Sequence, residues 1–195
     1  MIKPKPKTLL VVGAISALAL FFFLARSVFL AAFVNGTPIS RIKLIKELEK
    51  QGGKDVLSSL IERSLIFQEA KRLGVKVGGD VVETQIKSIE EIIKGQNLTL
   101  NDALAARGQN RADLVEQITI QKTVEAILGQ KINISDEDIS KYFEENKELL
   151  PKDSKLEDVK EDIRKQLFQQ KLNEEYTKWI AELKGKAKIL YFVNF

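Results

Sequence analysis

The chain contains neither cysteine nor histidine among its 195 residues. Without cysteine it can form no disulfide, no thiolate metal site and no cysteine nucleophile. Without histidine it lacks the commonest general base and the commonest metal ligand. An enzyme built on this sequence would have to rely on Asp, Glu, Lys, Ser or Tyr alone. We therefore predict no catalytic, metal-binding or cofactor-binding residue set.

An excess of positive charge is also missing from most of the chain. The formal net charge is +4, but Lys3, Lys5, Lys7 and Arg26 precede every acidic residue, and the remainder holds 27 basic and 27 acidic residues. A nucleic-acid-binding domain normally concentrates basic residues on its folded face. No nucleic-acid partner is therefore expected.

One long uncharged run is present, from Thr8 to Ala25. A helix of this length spans roughly 27 Å, close to the thickness of about 30 Å of a bilayer hydrocarbon core. The preceding lysines favour a cytoplasmic N-terminus. We expect residues 1–30 to be a basic tail and a single-pass signal anchor in the cell membrane, with the bulk of the chain extracytoplasmic. A cleaved signal peptide is the alternative, although such peptides have shorter apolar cores.

The remaining chain, residues 31–195, is predicted to be mainly α-helical. Residues 31–39 indicate a short strand that runs into Asn35-Gly36, a strong hairpin signal. Capping patterns predict most of the helix starts. The predicted helices are 41–50, ended by Gly52-Gly53; one with Asp80 as cap, ended by Gly95; 100–107 with Thr99 as cap; 111–128 with Asn110 as cap; and one that follows Ser135.

The most distinctive stretch runs from Asp55 to Val77. Its apolar side chains point nearly all round a helix, which predicts a buried helix packed by several neighbours. They are Val56, Leu57, Leu60, Ile61, Leu65, Ile66, Phe67, Ala70 and Leu73. Gly74 is expected to end this helix in a left-handed C-cap.

The C-terminal part, residues 156–195, is predicted to hold a long helix, 156–183, and a strand, 187–193. Because a lone strand is marginal, we expect this closing strand to pair with residues 31–39. The predicted fold is thus a transmembrane helix followed by a helical domain, with a small β-sheet formed by the domain's two terminal strands. Residues 31–150 would form its helical core.

With these elements in place, the extracytoplasmic part resembles the SurA N-terminal chaperone domain, which is shared by SurA, PrsA-type foldases and PpiD-type bacterial envelope proteins. The resemblance is carried by Ala32–Ser40, Leu60–Val77, Ile134–Asn146 and Val159–Ile189. It implies a helical module that holds unfolded secreted chains by apolar surface.

One departure concerns activity. Relatives of this type often carry a parvulin isomerase domain between the two halves, where this chain has only Leu149–Lys155. The resemblance implies a parvulin site with paired histidines and a cysteine or aspartate, and this chain has no histidine and no cysteine. We therefore expect no isomerase activity and no enzyme.

The candidate client-binding residues are apolar side chains near the position of the missing domain: Tyr142, Phe143, Leu149, Leu150, Val159, Ile163, Leu167 and Phe168. With no isomerase over them, part of this surface would be open to extended apolar peptides. In the alternative interpretation, the two helices that flank Pro151 simply pack on each other as a hairpin.

Two functions remain open on the sequence alone. The first is a membrane-anchored holdase that binds unfolded or newly translocated polypeptides without isomerase activity. The second is an adaptor or scaffold that uses the same fold for one specific partner, such as an envelope or translocation complex.

Overall fold

The computed structural model describes residues 28–147 and 155–195. The expected membrane anchor and the predicted site residues Leu149 and Leu150 lie outside these ranges. The chain divides into two compact units. Of the described residues, 28–58 and 191–195 belong to one unit, and 59–147 and 155–190 belong to the other. The described part is mainly helical and contains a small two-stranded antiparallel sheet, which confirms the predicted class.

The sheet lies in the first unit and is a hairpin of β1, Leu30–Val34, and β2, Thr37–Ser40. Asn35 and Gly36 have φ values of 48° and 84°, and two positive φ angles are what a type I′ turn requires. Val34 accordingly pairs with Thr37, and Phe33 pairs with Pro38. The turn predicted at Asn35-Gly36 is therefore present.

The expected closing strand is wrong. Residues 187–195 form neither helix nor strand, and the described sheet contains β1 and β2 alone. The physical reason is the turn itself, because it folds the two halves of residues 30–40 onto each other. Strands β1 and β2 then hydrogen-bond to each other, so neither depends on pairing with residues 187–193.

Helix α1 runs without interruption from Arg41 to Leu73, through Gly52 and Gly53. The predicted break at these glycines is therefore wrong. Neither glycine has a positive φ, and a glycine inside a helix costs only about 1 kcal/mol, which does not force an end. A side chain at residue 53 would clash with the ring of Phe195, which lies directly against Gly53. Gly74, with φ 70°, does end the helix as predicted.

The expectation that this helix is buried on most sides is also wrong. Only Ile66 and Ala70 of α1 are buried, whereas Val56 is 60% exposed and Leu60 is 48% exposed. An apolar helix surface favours burial, but burial also requires other helices or strands that cover that surface. Among the described elements, the buried face of α1 shares a core with two helices of the second unit.

The described part of the second unit contains five α-helices after the end of α1. They are α2, Gly79–Lys94; α3, Leu100–Ala105; α4, Arg111–Leu128; α5, Asp136–Glu145; and α6, Leu156–Lys186. A short 3-10 helix, Gly129–Lys131, follows α4. The caps predicted at Thr99, Asn110 and Ser135 are all present, since each side chain accepts a hydrogen bond from a backbone N–H of the first turn. At α2 the N-cap is Gly78 rather than Asp80.

Three apolar clusters hold this unit together. The first joins α1, α4 and α6 through Ile66, Val124, Leu128, Leu172 and Ile180. The second joins α2 and α4 through Val82, Ile86 and Ile118. The third joins α5 and α6 through Ile139 and Ile163, with Ile134 from the segment before α5. Helix α6 takes part in two clusters, so its two halves bury different faces.

Within the described residues, no helix combines the length and apolar character that crossing a bilayer requires.

The buried position of Ile66 makes it the test of this core. Ile66 is 2% exposed, so Ile66→Ala removes buried methyl groups and leaves a cavity among three helices. We expect the free energy of unfolding to fall by about 2–5 kcal/mol. Urea unfolding followed by far-UV circular dichroism measures it.

Ile92→Ala is the matched control, because Ile92 is 66% exposed on α2. It should change the free energy of unfolding by no more than about 0.5 kcal/mol. Equal losses in the two variants would contradict the proposed core.

Candidate apolar binding surface

The predicted client-binding residues that the structure describes come together in one place. Tyr142 and Phe143 of α5 and Val159, Ile163, Leu167 and Phe168 of α6 all belong to the third apolar cluster. Helices α5 and α6 therefore pack on each other. Ile163 is 2% exposed and is an interior residue, while the other five are half-buried. Client binding by this set stays a prediction. Phe168 also lines an open groove.

Charged side chains fasten the start of α5 to α6. Asp136 accepts a hydrogen bond from Arg164, at 2.9 Å, and pairs with Lys160, at 3.3 Å. Asp138 accepts a hydrogen bond from Lys171, at 3.2 Å. Two acids in the first turn of one helix thus meet three cations spaced along the other.

These contacts lower the pKa of both carboxyl groups. Hydrogen bonding from Lys160, with its positive charge and the nearby Arg164, holds the pKa of Asp136 below its ordinary value. For Asp138, the largest cause of the lowered pKa is the backbone N–H of Ser135, followed by Lys171. Both groups therefore remain charged into mildly acidic conditions, so the attachment of α5 persists there.

A groove of about 580 Å³ opens beside this attachment. Its apolar surface comes from Ile132, Ile134 and Phe168, and we call it the Phe168 groove. The Phe168 ring lies close to Gly129, where a side chain would approach it to 3.3 Å. Arg164 lines the groove with its guanidinium already engaged, because it donates to the carbonyl of Ile134 as well as to Asp136.

A second groove of about 300 Å³ lies between α4 and α6. Its floor is apolar and is formed by Ile120, Val124, Leu172 and Tyr176. Its rim consists of exposed amide side chains: Gln117 and Gln121 from α4, and Gln169 and Asn173 from α6. We call it the amide groove. Gln169 lines both grooves, so the two adjoin along α6.

A polar cluster stands at the Tyr176 end of the amide groove. The Tyr176 hydroxyl donates to Glu62 at 3.2 Å, and Lys184 donates to the other carboxylate oxygen at 2.7 Å. Burial, and secondarily the negative charge of Glu62, raises the pKa of Tyr176. The phenol therefore stays protonated at neutral pH. Its hydrogen bond to Glu62 holds the Tyr176 ring in place in the floor of the groove.

Sequence reasoning missed the amide groove, although a signal was present. Gln117 and Gln121 are one helical turn apart on α4, as are Gln169 and Asn173 on α6. Each pair flanks an apolar pair with the same spacing, Ile120 with Val124 and Leu172 with Tyr176. What the sequence could not supply was the information that these two stripes face each other.

The chemistry of both grooves is that of binding. In the described part of the chain, every buried side-chain nitrogen or oxygen has a hydrogen-bond partner. The described grooves therefore combine apolar floors with satisfied charges and neutral donors and acceptors. Such a surface can bind apolar side chains and hydrogen-bond a polypeptide backbone.

Comparison with known proteins points to foldases. The chain is 28% identical over 109 residues to the foldase protein PrsA of two Clostridium perfringens strains, which covers 53% of this chain and 32% of that protein. It is 26% identical over 118 residues to the putative peptidyl-prolyl cis-trans isomerase YacD of Bacillus subtilis strain 168, which covers 60% of this chain and 37% of that protein. The chain thus spans about a third of the length of these curated relatives.

No protein-family profile matches the sequence, and no solved structure gives a significant match. The similarity to PrsA and to YacD covers 53% and 60% of this chain, respectively.

The lowered pKa values predict acid sensitivity with a defined sign. Asp136 and Asp138 stabilise the folded chain fully at pH values above the pKa of an unfolded carboxyl group, about 3.9. This stabilisation is lost as the pH falls through the lower pKa values of the two groups in the folded chain. We therefore expect the urea midpoint to fall between pH 5 and pH 2.5, and to fall less in Asp138→Asn.

Asp162→Asn is the control for this experiment. Asp162 lies on α6 in an exposed pair with Lys165, at 3.7 Å. That variant should follow the acid response of the unmodified chain. An acid response in Asp138→Asn that equals that of the unmodified chain would contradict the role given to Asp138.

Proposed function

We propose that this chain is an extracytoplasmic chaperone of the SurA N-terminal type, anchored in the cell membrane by its N-terminal segment. It binds unfolded or newly translocated polypeptides through the amide groove and the adjoining Phe168 groove. It holds these clients without catalysing prolyl isomerisation.

The observation that carries this proposal is the construction of the amide groove. Apolar side chains such as Ile120 and Tyr176 form its floor, and four neutral amides form its rim. Each amide can both donate and accept hydrogen bonds, as a peptide backbone does. Because the rim amides carry no charge, they neither select nor reject a client by its charge. A surface of this kind suits unfolded chains of many sequences.

The printed names of the relatives support the same class of function. One is called a foldase and the other a putative peptidyl-prolyl isomerase. A role in protein folding is therefore part of the function proposed for this chain. The isomerase role is left out, because the sequence has no histidine and no cysteine from which a parvulin-like site could be assembled.

The anchor is proposed from sequence. Thr8–Ala25 carries no charge and follows three lysines. A span at this position would hold the chaperone close to the membrane, where translocated chains emerge unfolded, and would make the translocation machinery a further candidate partner.

The groove is tested by position-specific crosslinking. A photoreactive residue replaces Gln169, which lines both grooves, or Gln170, which is exposed beside it and lines neither. Purified, chemically denatured model enzymes of unrelated sequence serve as clients. We expect crosslinks to several denatured clients from residue 169, few from residue 170, and none to the folded enzymes.

The same clients test holding activity by light scattering. Gln121→Glu with Gln169→Glu places two carboxylates beside the apolar floor, while Gln130→Glu with Gln170→Glu makes the same charge change away from it. We expect the first pair to raise the concentration needed for half-suppression of aggregation by about fivefold, or ~1 kcal/mol. The control pair should leave it unchanged.

Failure to suppress aggregation of any client, with stoichiometric binding of one folded envelope protein instead, would overturn the holdase proposal and favour the adaptor function.

The absence of isomerase activity is a separate prediction. We expect the full-length chain to leave the cis-trans relaxation of a proline-containing tetrapeptide at its spontaneous rate, tens to hundreds of seconds at 25 °C. A protease-coupled absorbance assay measures this rate. An acceleration that scales with chain concentration would contradict the prediction while leaving the holding activity to stand.

A further inference from the structure

A third groove shares no lining residue with the amide groove or the Phe168 groove. It is formed by the end of α1, the connection to α2 and one side of α4, and it has a volume of about 410 Å³. Its apolar surface comes from Phe67, Ala70, Val75 and Val77. We call it the lysine groove, because Lys71 and Lys76 also line it.

The two lysines have no counter-charge in the described structure. Neither Lys71 nor Lys76 forms an ion pair with any residue in the ranges 28–147 and 155–195, and both are exposed. The acids on the adjoining helix turns are already paired, Glu69 with Arg72 at 2.6 Å and Glu116 with Arg63. Lys71 is in the last turn of α1, where a cation is favoured, but Lys76 lies outside any helix. The groove therefore presents two free cations to a ligand.

The connection between α1 and α2 has free hydrogen-bonding groups. Residues 75–78 form neither helix nor strand, and Gly78 is extended, with φ −72° and ψ 148°. The N–H of Val75 donates to Ala70 at 2.9 Å. By contrast, the N–H groups of Lys76 and Val77 donate to no other residue of the described chain. A short stretch of extended backbone thus borders the groove with free donors. Because successive N–H groups of an extended chain point to opposite sides, one of these two donors can pair with an added strand.

We infer that the lysine groove binds an extended segment of another polypeptide in which an acidic residue neighbours a large apolar one. The apolar side chain lies on Phe67 and Ala70. The acidic side chain lies between Lys71 and Lys76, and the backbone of the segment runs beside residues 75–78. This inference goes beyond the proposed function, because the amide groove has a neutral rim and gives no reason for a preference in client charge.

Complementarity of charge and of hydrogen bonding favours a peptide over other anions. A phosphate or a lipid headgroup would use the two lysines but would leave the apolar floor and the free backbone donor beside it unmatched. A basic segment would meet two uncompensated like charges, which is unfavourable. The three features are satisfied together only by an acidic, apolar and extended ligand.

The test uses the full-length chain and three fluorescent eight-residue peptides in anisotropy titrations. The peptides alternate Leu with Glu, with Gln or with Lys. We expect the Glu peptide to bind at least about tenfold more tightly than the Lys peptide, with the Gln peptide between them. Binding of all three peptides with equal affinity would overturn the charge preference.

Charge reversal supplies the matched variants. Lys71→Glu with Lys76→Glu should reverse the order of the Glu and Lys peptides. Lys87→Glu with Lys94→Glu makes the same charge change on exposed positions of α2 that do not line the groove, and it should preserve the order. Loss of the preference in both pairs would indicate a long-range charge effect and would overturn the site. Thermal unfolding by circular dichroism confirms that each variant is folded.

The backbone contact is tested with a Glu peptide that is N-methylated at alternate residues, which keeps its side chains but blocks strand pairing. We expect this peptide to bind at least about tenfold more weakly than the unmodified one. Equal affinities of the N-methylated and unmodified Glu peptides would contradict strand pairing with residues 75–78.

Two further outcomes separate this inference from other occupants. Displacement of the Glu peptide by vesicles containing an anionic lipid, with loss of vesicle binding in the Lys71 and Lys76 variant, would overturn the peptide in favour of a membrane surface. Crosslinking of the Glu peptide from residue 169, with no effect of the lysine variants, would assign it to the amide groove. That result would overturn this inference and leave the proposed function intact.

Discussion

The packing of α1, α4 and α6 around Ile66 determines where the grooves of the second unit lie. Val124 and Leu172 are buried core residues, and they are also the deepest part of the amide groove. The separation of α4 and α6 is therefore set by the core and not by the rim. Under the proposed function, binding and stability would share these apolar residues, so a substitution in the floor would disturb both. The rim amides are then the positions at which binding could change while the core stays intact.

The features that sequence reasoning predicted correctly depend on interactions within about four residues. The caps at Thr99, Asn110 and Ser135 each involve a side chain and a backbone group two or three positions away. The turn at Asn35-Gly36 depends on two residues that tolerate positive φ. Such contacts can be recognised from spacing and residue type alone, because no distant part of the chain alters them.

The features that failed required knowledge of distant partners. The predicted pairing of residues 187–193 with residues 31–39 required that residues 31–39 have no nearer partner, and the hairpin provides one. Burial of the Asp55–Val77 stretch needed elements to cover it on most sides. Gly52 and Gly53 were interpreted as a helix end, although a glycine inside a helix costs only about 1 kcal/mol, which does not by itself end the helix.

The sequence likewise predicted only those parts of the candidate site that are close together in the chain. Residues of α5 and α6 were correctly grouped, since the two helices are neighbours in sequence and share a short connection. Ile163 was placed among surface residues because periodicity gives the face of a helix but not which part of that face is covered. The amide groove and the lysine groove join segments that lie about fifty residues apart, as Gln117 and Gln169 do.

The local helix caps have a consequence for how the chain itself folds. In the second unit α3, α4 and α5 each begin at a side-chain cap, and the connections between consecutive helices from α2 to α5 are short. Contacts of this kind are close in sequence, so little loop-closure entropy is lost before they form. We expect the stretch from α2 to α5 to gain structure early, before the core that joins Ile66 to Leu172 across about a hundred residues. Under the proposed function, this early local structure would shorten the time that the chain itself is unfolded beside its clients.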